Sequence, residues 1–263
     1  MITVVAVDID GTLITVDGAL PHKNKIALRE ARRRDILLVL ATARSVAGAV
    51  EILTELAIPG AIIAELGATV IDADGSVVAA RRFSAHDAAG IANALTQESL
   101  QFICTAGEVN YESSSLITAR TGIGRKLESS AMDYSQVSRI VVRGASRRRV
   151  RSALQGHSVD LYVGAVAPGG ARDVILVPNG VSKGAGLAAL CRHRGIDRTN
   201  VLAIGDSSTD ASLLDWAGRG VVVADGDPAL RARASWIAPS AADGGVADTL
   251  LHFSVVGSLP TER

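Results

Sequence analysis

Two aspartates one residue apart, Asp8 and Asp10 in Asp8-Ile9-Asp10-Gly11-Thr12-Leu13, follow an almost unbroken β-branched run that starts at Ile2. Such a run reads as a strand buried on both faces of a parallel sheet. Ligands of such sheets gather outside the carboxyl ends of the strands, and both carboxylates leave the strand end on the same side. One carboxylate can attack as a nucleophile while its neighbour handles protons. Two clustered carboxylates also repel unless a cation lies between them. Oxygen ligands in a polar mouth suit Mg²⁺.

Three further segments carry compatible chemistry. Thr42-Ala43-Arg44 ends a second buried run, Ile36–Ala41, just before a helical pattern. A hydroxyl and backbone N–H groups at a helix start bind an anion. Lys183, in Val181-Ser182-Lys183-Gly184, stands at another helix start. The chain has 23 Arg and only 4 Lys, so a lysine at such a place draws notice, and its ammonium can neutralise a phosphate oxygen. Gly205-Asp206-Ser207-Ser208-Thr209-Asp210 follows a third buried run and adds two carboxylates to the same rim.

The elements that must position these groups can be read around them. Helical patterns are expected at His22–Asp35, with Ile26 and Leu28 inside and Arg29, Arg32, Arg33 and Arg34 outside, and at Ser45–Leu56, with Ser45 as N-cap. Ala61–Ala64 reads as a strand. Ala68–Ile71 and Val77–Ala80 flank Asp72-Ala73-Asp74-Gly75, a hairpin with turn chemistry. After Lys183 the rhythm resumes with a helix and then Val201–Ile204, Asp210–Trp216, Val221–Ala224, Pro228–Ala234, Trp236–Ala238 and Val246–Phe253. Ser254–Arg263 reads as a loose tail. This alternation predicts an α/β fold, a doubly wound parallel sheet.

The middle, 81–175, reads differently. It has helical patterns near Ala85–Leu95 and Ser146–Gln155. Its strand patterns (Phe102–Thr105, Arg139–Arg143, Asp160–Val163, Asp173–Val177) are shorter, and Gly107, Gly122, Gly124, Gly144 and Gly169-Gly170 punctuate them. We read it as an α+β domain inserted into a core formed by 1–80 and 176–263.

In order, the four segments resemble the motifs of the haloacid dehalogenase (HAD) superfamily. With the inserted middle they resemble its Cof-type, sugar-phosphate phosphatase-like subfamily with a large cap. The Asp8–Leu13 motif matches fully. The likeness covers the two core segments well and the middle only in position and size. The resemblance implies an enzyme, a Mg²⁺-dependent phosphomonoesterase acting on a small phosphorylated metabolite, with a sugar phosphate as the expected class. It implies that Asp8 forms an aspartyl-phosphate and that Asp10 protonates the leaving oxygen and then activates water. Thr42 and the Ala43 N–H would hold phosphate oxygens, and Lys183 would bridge phosphate and Asp8. Asp8, Asp206 and the Asp10 carbonyl would ligate Mg²⁺, with Asp210 close by or ligating through water. Arg44 and Thr209 are further substrate-binding candidates. The cap would close over the site and choose the leaving group.

Three positions depart from the family pattern: Ala43 where glycine is usual, Thr209 where asparagine is frequent, and Leu66-Gly67 where many relatives have Asn-Gly. Two alternatives stay open on the residues alone: a phosphomutase or phosphotransferase using the same aspartyl-phosphate, and a catalytically silent binding protein. A dehalogenase fits least, because Asp10 and Asp206 suit a cation and phosphate.

Composition narrows the classes. The chain has 263 residues with 27 basic and 27 acidic side chains. Zero net charge argues against an obligate nucleic-acid binder, and 3% aromatic residues argue against a base-stacking platform. That neutrality hides an asymmetry, a net +4 over 81–175 against −4 elsewhere. The run Arg147-Arg148-Arg149 with Arg151 is the solvated face of a helix. Cys104 and Cys191 have no metal or redox spacing and read as buried small residues. His86, His157, His193 and His252 show no metal-like spacing. No signal peptide is visible, nor an apolar run near the roughly 18 residues of a membrane span, so a cytoplasmic protein is expected. Oligomeric state is not readable.

Overall fold

The computed structural model describes residues 1–107, 109–113, 124–126, 132–166 and 172–259. The chain divides into two compact units, Met1–Ala79 with Ser182–Arg263, and Ala80–Val181.

The first unit begins with β1 (Val4–Val7), α1 (His22–Arg33), β2 (Leu37–Ala41), α2 (Val46–Leu56), β3 (Ala61–Ala64), β4 (Thr69–Ile71) and β5 (Val77–Ala80). The second holds α3 (Ala85–Gln97), β6 (Phe102–Ala106), β7 (Val109–Glu112), β8 (Gly124–Lys126), β9 (Val137–Val142), α4 (Arg147–Ala153), β10 (Asp160–Val166) and β11 (Arg172–Val177). The first unit resumes with α5 (Lys183–His193), β12 (Val201–Gly205), α6 (Ala211–Trp216), β13 (Arg219–Val223), α7 (Pro228–Arg231), β14 (Trp236–Ala238) and α8 (Gly245–His252).

In the first unit one eight-stranded sheet has the order β14-β13-β12-β1-β2-β3-β4-β5. It is parallel from β14 to β3, and β4 turns back antiparallel to β3. The chain winds outward from β1 to β3, then from β12 to β14 on the other side, so its direction reverses between β1 and β12. That reversal opens a crevice at the carboxyl ends of the two strands. Both faces of β1 are buried, which is why its sequence shows no polar alternation. Val5 and Val7 pack with Ala27, Leu28, Ile52 and Val246 of α1, α2 and α8. Val4 and Ala6 pack with Leu187, Leu190 and Leu213 of α5 and α6.

The second unit is a six-stranded sheet of order β10-β11-β9-β6-β7-β8. It is antiparallel except for the parallel pair β7–β8. Its core joins Phe102, Ile140, Val142 and Leu176 of the sheet to Ile91, Leu95 and Val150 of α3 and α4. Cys104 belongs to this core, and burial pushes its thiol up to about 12. Arg147, Arg148, Arg149 and Arg151 are exposed on α4 around the buried Val150.

Several expectations need correction. β11 stays whole in the second unit, paired with β9 and β10, so the chain returns to the first unit at Ser182 rather than at 176. β7 and β8 were not legible, because Val109–Glu112 is too short and polar to show a period. On α1, Ile26 is only half-buried, and the buried positions are Asn24, Ala27, Leu28 and Ala31. The stretch after α8 is not a loose tail up to 259: Val255 and Val256 are buried and Leu259 packs on the core. The rest of that stretch, 260–263, lies outside the described residues, as do Gly122, Gly169 and Gly170.

Candidate active site

Asp8 and Asp206 are the first residues past β1 and β12, neighbouring strands in parallel register with Val7 beside Ile204. The sheet alone therefore brings together two carboxylates that lie far apart in sequence. A tight loop follows Asp8: Leu13 N–H bonds the carbonyls of Asp8 and Ile9, and Gly11 N–H bonds Ile14. Gly11 is left-handed at φ +87°, and a Cβ there would lie 2.8 Å from Asp206 Oδ2. Glycine is thus required twice over, by backbone conformation and by the neighbouring carboxylate. Asn24, fully buried, fastens this loop by donating to the Leu13 carbonyl and accepting from Ala247 N–H of α8.

Lys183 joins the loops. It is 1% exposed, and its Nζ lies 2.6 Å from Asp8 Oδ1 and 2.5 Å from Asp210 Oδ1. It stands at the first turn of α5, whose N-cap Ser182 accepts from Ala185 N–H. Glycines let α5 approach so closely: a Cβ on Gly67 would fall 2.2 Å from the Ser182 carbonyl, and one on Gly184 would fall 2.2 Å from the Ser212 carbonyl.

Asp210 is 0% exposed and both its oxygens are engaged. Oδ1 takes the lysine, while Oδ2 accepts from Asp206 N–H, Ser207 N–H and Ser207 Oγ. It braces the loop that carries Asp206. Asp8, Asp206 and Asp210 each offer an oxygen, all within 4.8 Å of one another.

The electrostatics follow from this crowding. Burial and the Asp210 charge push Asp8 upward, against the pull of Lys183. Burial and Asp210 raise Asp206 to about 6. Burial would lower Lys183, but Asp210 and Asp8 outweigh it and hold its proton more firmly. Three carboxylates against one ammonium leave the pocket short of positive charge. A hard divalent cation with oxygen ligands meets that deficit, so the residues fit Mg²⁺.

The other candidates divide. Thr42 is fully buried and its Oγ1 accepts from Arg44 N–H, which leaves its own hydroxyl proton to donate. Ala43, half-buried, is not in the left-handed region, so alanine is tolerated where the resemblance favours glycine. Arg44 grips Asp10: Nε to Oδ2 at 2.9 Å and Nη2 to Oδ1 at 2.6 Å. Thr209 Oγ1 lies 2.8 Å from Ser207 Oγ within the same loop. Leu66 is fully buried at φ +61°, its N–H on the Thr42 carbonyl, and Glu65 before it has φ +55°. Two successive non-glycine residues in that region store strain behind Thr42.

Sequence reasoning missed Thr12, whose Oγ1 donates to Asp206 Oδ1 at 3.2 Å. It lay inside the first motif, but nothing in spacing says which carboxylate a threonine meets. Asp72 was read only as a turn residue. It is buried and gripped by Arg194 at the end of α5, with Nη2 at 2.6 Å. His193 lies 3.8 Å from the same carboxylate, and His252 stacks on Trp236.

A family model for haloacid dehalogenase-like hydrolases matches residues 5–250. A phosphoglycolate phosphatase of Methanothermobacter thermautotrophicus is 25% identical over 249 residues, 95% of this chain and 97% of that protein. An HMP-PP phosphatase of Klebsiella pneumoniae is 27% identical over 241 residues, 88% of each chain. Among solved structures, a HAD subclass IIB sugar phosphatase has a TM-score of 0.81 at 17% identity, over 97% of this chain and 100% of that one. At that identity the last likeness is one of fold. With the family match spanning nearly the whole chain, this protein belongs to the haloacid dehalogenase-like hydrolases.

Proposed function

We propose that the chain is a Mg²⁺-dependent phosphomonoesterase that hydrolyses a small phosphorylated metabolite, a sugar phosphate in the first instance, through an aspartyl-phosphate on Asp8. The observation that carries this reading is the Lys183 ammonium held between Asp8 and Asp210 beside Asp206. The phosphatase names of the relatives and the sugar phosphatase fold support it.

Asp8 and Asp206 would hold the cation directly, with Asp210 reaching it through water and the Asp10 carbonyl as a further ligand. Mg²⁺ there would neutralise charge on a phosphoryl oxygen. Asp8 attacks phosphorus: its oxygen–phosphorus bond forms as the ester oxygen–phosphorus bond breaks, and Asp10 gives its proton to the departing oxygen. A water then attacks the same phosphorus, Asp10 takes that water's proton, and the Asp8–phosphorus bond breaks to release inorganic phosphate. Thr42 donates to an equatorial oxygen, and Lys183 keeps Asp8 aimed and offsets charge gathering on the phosphoryl group.

Phosphate release from an aryl phosphate and a panel of sugar phosphates tests this. Chelating the divalent cation should lower the rate by about a hundredfold or more, since a metal stabilises charge by several kcal/mol. Full activity in chelator would contradict the cation's role. Relocation of phosphate to another hydroxyl, with none released, would contradict hydrolysis.

A further inference from the structure

Arg44 does not merely neighbour the site. It presents one edge of its guanidinium, Nε and Nη2, to the two oxygens of Asp10 at 2.9 and 2.6 Å. A fork-to-fork pair of this kind fixes distance, plane and rotation of a carboxylate at once, which a point charge does not. The pair has substance behind it. Arg44 N–H bonds Thr42 Oγ1, its carbonyl takes Glu65 N–H at 2.8 Å, and the backbone of Leu66 is tied to Thr42. The loop after β1 holds the Asp10 backbone, bridged to Ile14, but its half-exposed carboxylate has Arg44 as its one hydrogen-bond donor among the described residues.

We propose that Arg44 is the positioning residue for Asp10 in the second half-reaction, when water attacks the phosphorylated Asp8. In the bidentate pair both Asp10 oxygens act as acceptors, the arrangement of a carboxylate that takes a proton from water. Each oxygen keeps a lone pair outside the pair with Arg44. The proton leaves water for an Asp10 oxygen as the water oxygen bonds to phosphorus and the Asp8–phosphorus bond breaks. The guanidinium touches neither the reacting atoms nor the water, and acts through the orientation of Asp10. This inference rests on the aspartyl-phosphate reading given above.

The test uses the full-length protein with Mg²⁺ and p-nitrophenyl phosphate. That leaving group departs without help, so kcat/KM reports formation of the phosphoenzyme and kcat reports its hydrolysis. In Arg44→Ala, kcat should fall on the order of tenfold, part of the factor a well-placed general base supplies. KM should fall alongside, and acid-quenched protein should carry phosphate on the peptide containing Asp8. Arg44→Lys, lacking the planar fork, should recover only part of kcat. Asp10→Asn should show the same pattern more strongly. The inference is overturned if kcat/KM falls with kcat and no phosphoenzyme builds up, which would make Arg44 a binding or structural residue. It is also overturned if Arg44→Ala turns over like wild type, or if Arg44→Ala slows Asp10→Asn as much as it slows wild type. A fully active Asp8→Asn protein would instead sink the underlying aspartyl-phosphate reading.

Discussion

Asp8→Asn should fold and yet release phosphate at least about a thousandfold more slowly than wild type, the scale of removing a group the covalent step cannot do without. The amide has the carboxylate's shape, and its Oδ1 can still accept from the Lys183 ammonium now 2.6 Å from Asp8. It cannot attack phosphorus. Stability should change little, because the substitution removes a charge that burial and Asp210 already disfavour. Phosphate release and a thermal melt, recorded on the same preparation, separate the two effects. A variant as inactive as expected but unfolded would show that Asp8 holds the loop together rather than reacting.

Lys183→Met should be the most destabilising single change in the site. It has room for the stem but no ammonium, and so leaves the buried carboxylates of Asp8 and Asp210 facing each other. Breaking a buried pair by removing one partner costs about 3–5 kcal/mol, because the remaining charge stays uncompensated. Urea unfolding at neutral pH reads that loss. Adding Asp210→Asn to the Lys183→Met background should recover part of it, since one of the two stranded charges is then gone. A loss below about 1 kcal/mol, the range of an exposed pair, would mean that the three side chains are not coupled as described. Activity should fall too, but a stability readout keeps the test independent of substrate.

The motif residues were legible because sheet topology does much of the positioning. Once Ile2–Asp8 and Val201–Ile204 read as buried strands of one parallel sheet, Asp8 and Asp206 had to share its carboxyl rim, and the pairing of β1 with β12 makes them neighbours there. The helix after Lys183 was equally plain, and its lysine stands out in an arginine-rich chain. Side-chain partners were less legible. Thr209 has the right type and place to touch a substrate, and its contact with Ser207 Oγ two residues away was not readable from the spacing. Arg44 read as a substrate-binding candidate, and its bidentate grip on Asp10 depends on a loop conformation that spacing does not encode. The buried Val255 and Val256 were hidden by the short, broken pattern after α8. In the second unit the short strands β7 and β8 escaped because pairing partners, not their own periodicity, make them strands.

The negative charge of the first unit's sequence also gains a meaning. Asp8, Asp206 and Asp210 stand within 4.8 Å of one another around a single lysine. Such a concentration of acid is costly to fold unless positive charge offsets it, which is consistent with the proposed cation site.

The most direct measurement is the site of phosphate attachment. Protein mixed with Mg²⁺ and an aryl phosphate, quenched in acid within the first turnovers, should yield on peptide mass analysis one phosphorylated peptide, modified at Asp8. The same treatment of Asp8→Asn should yield none. Phosphate found on another residue, or turnover with no phosphopeptide even in the Asp10→Asn protein, whose second step should stall, would contradict Asp8 as the nucleophile.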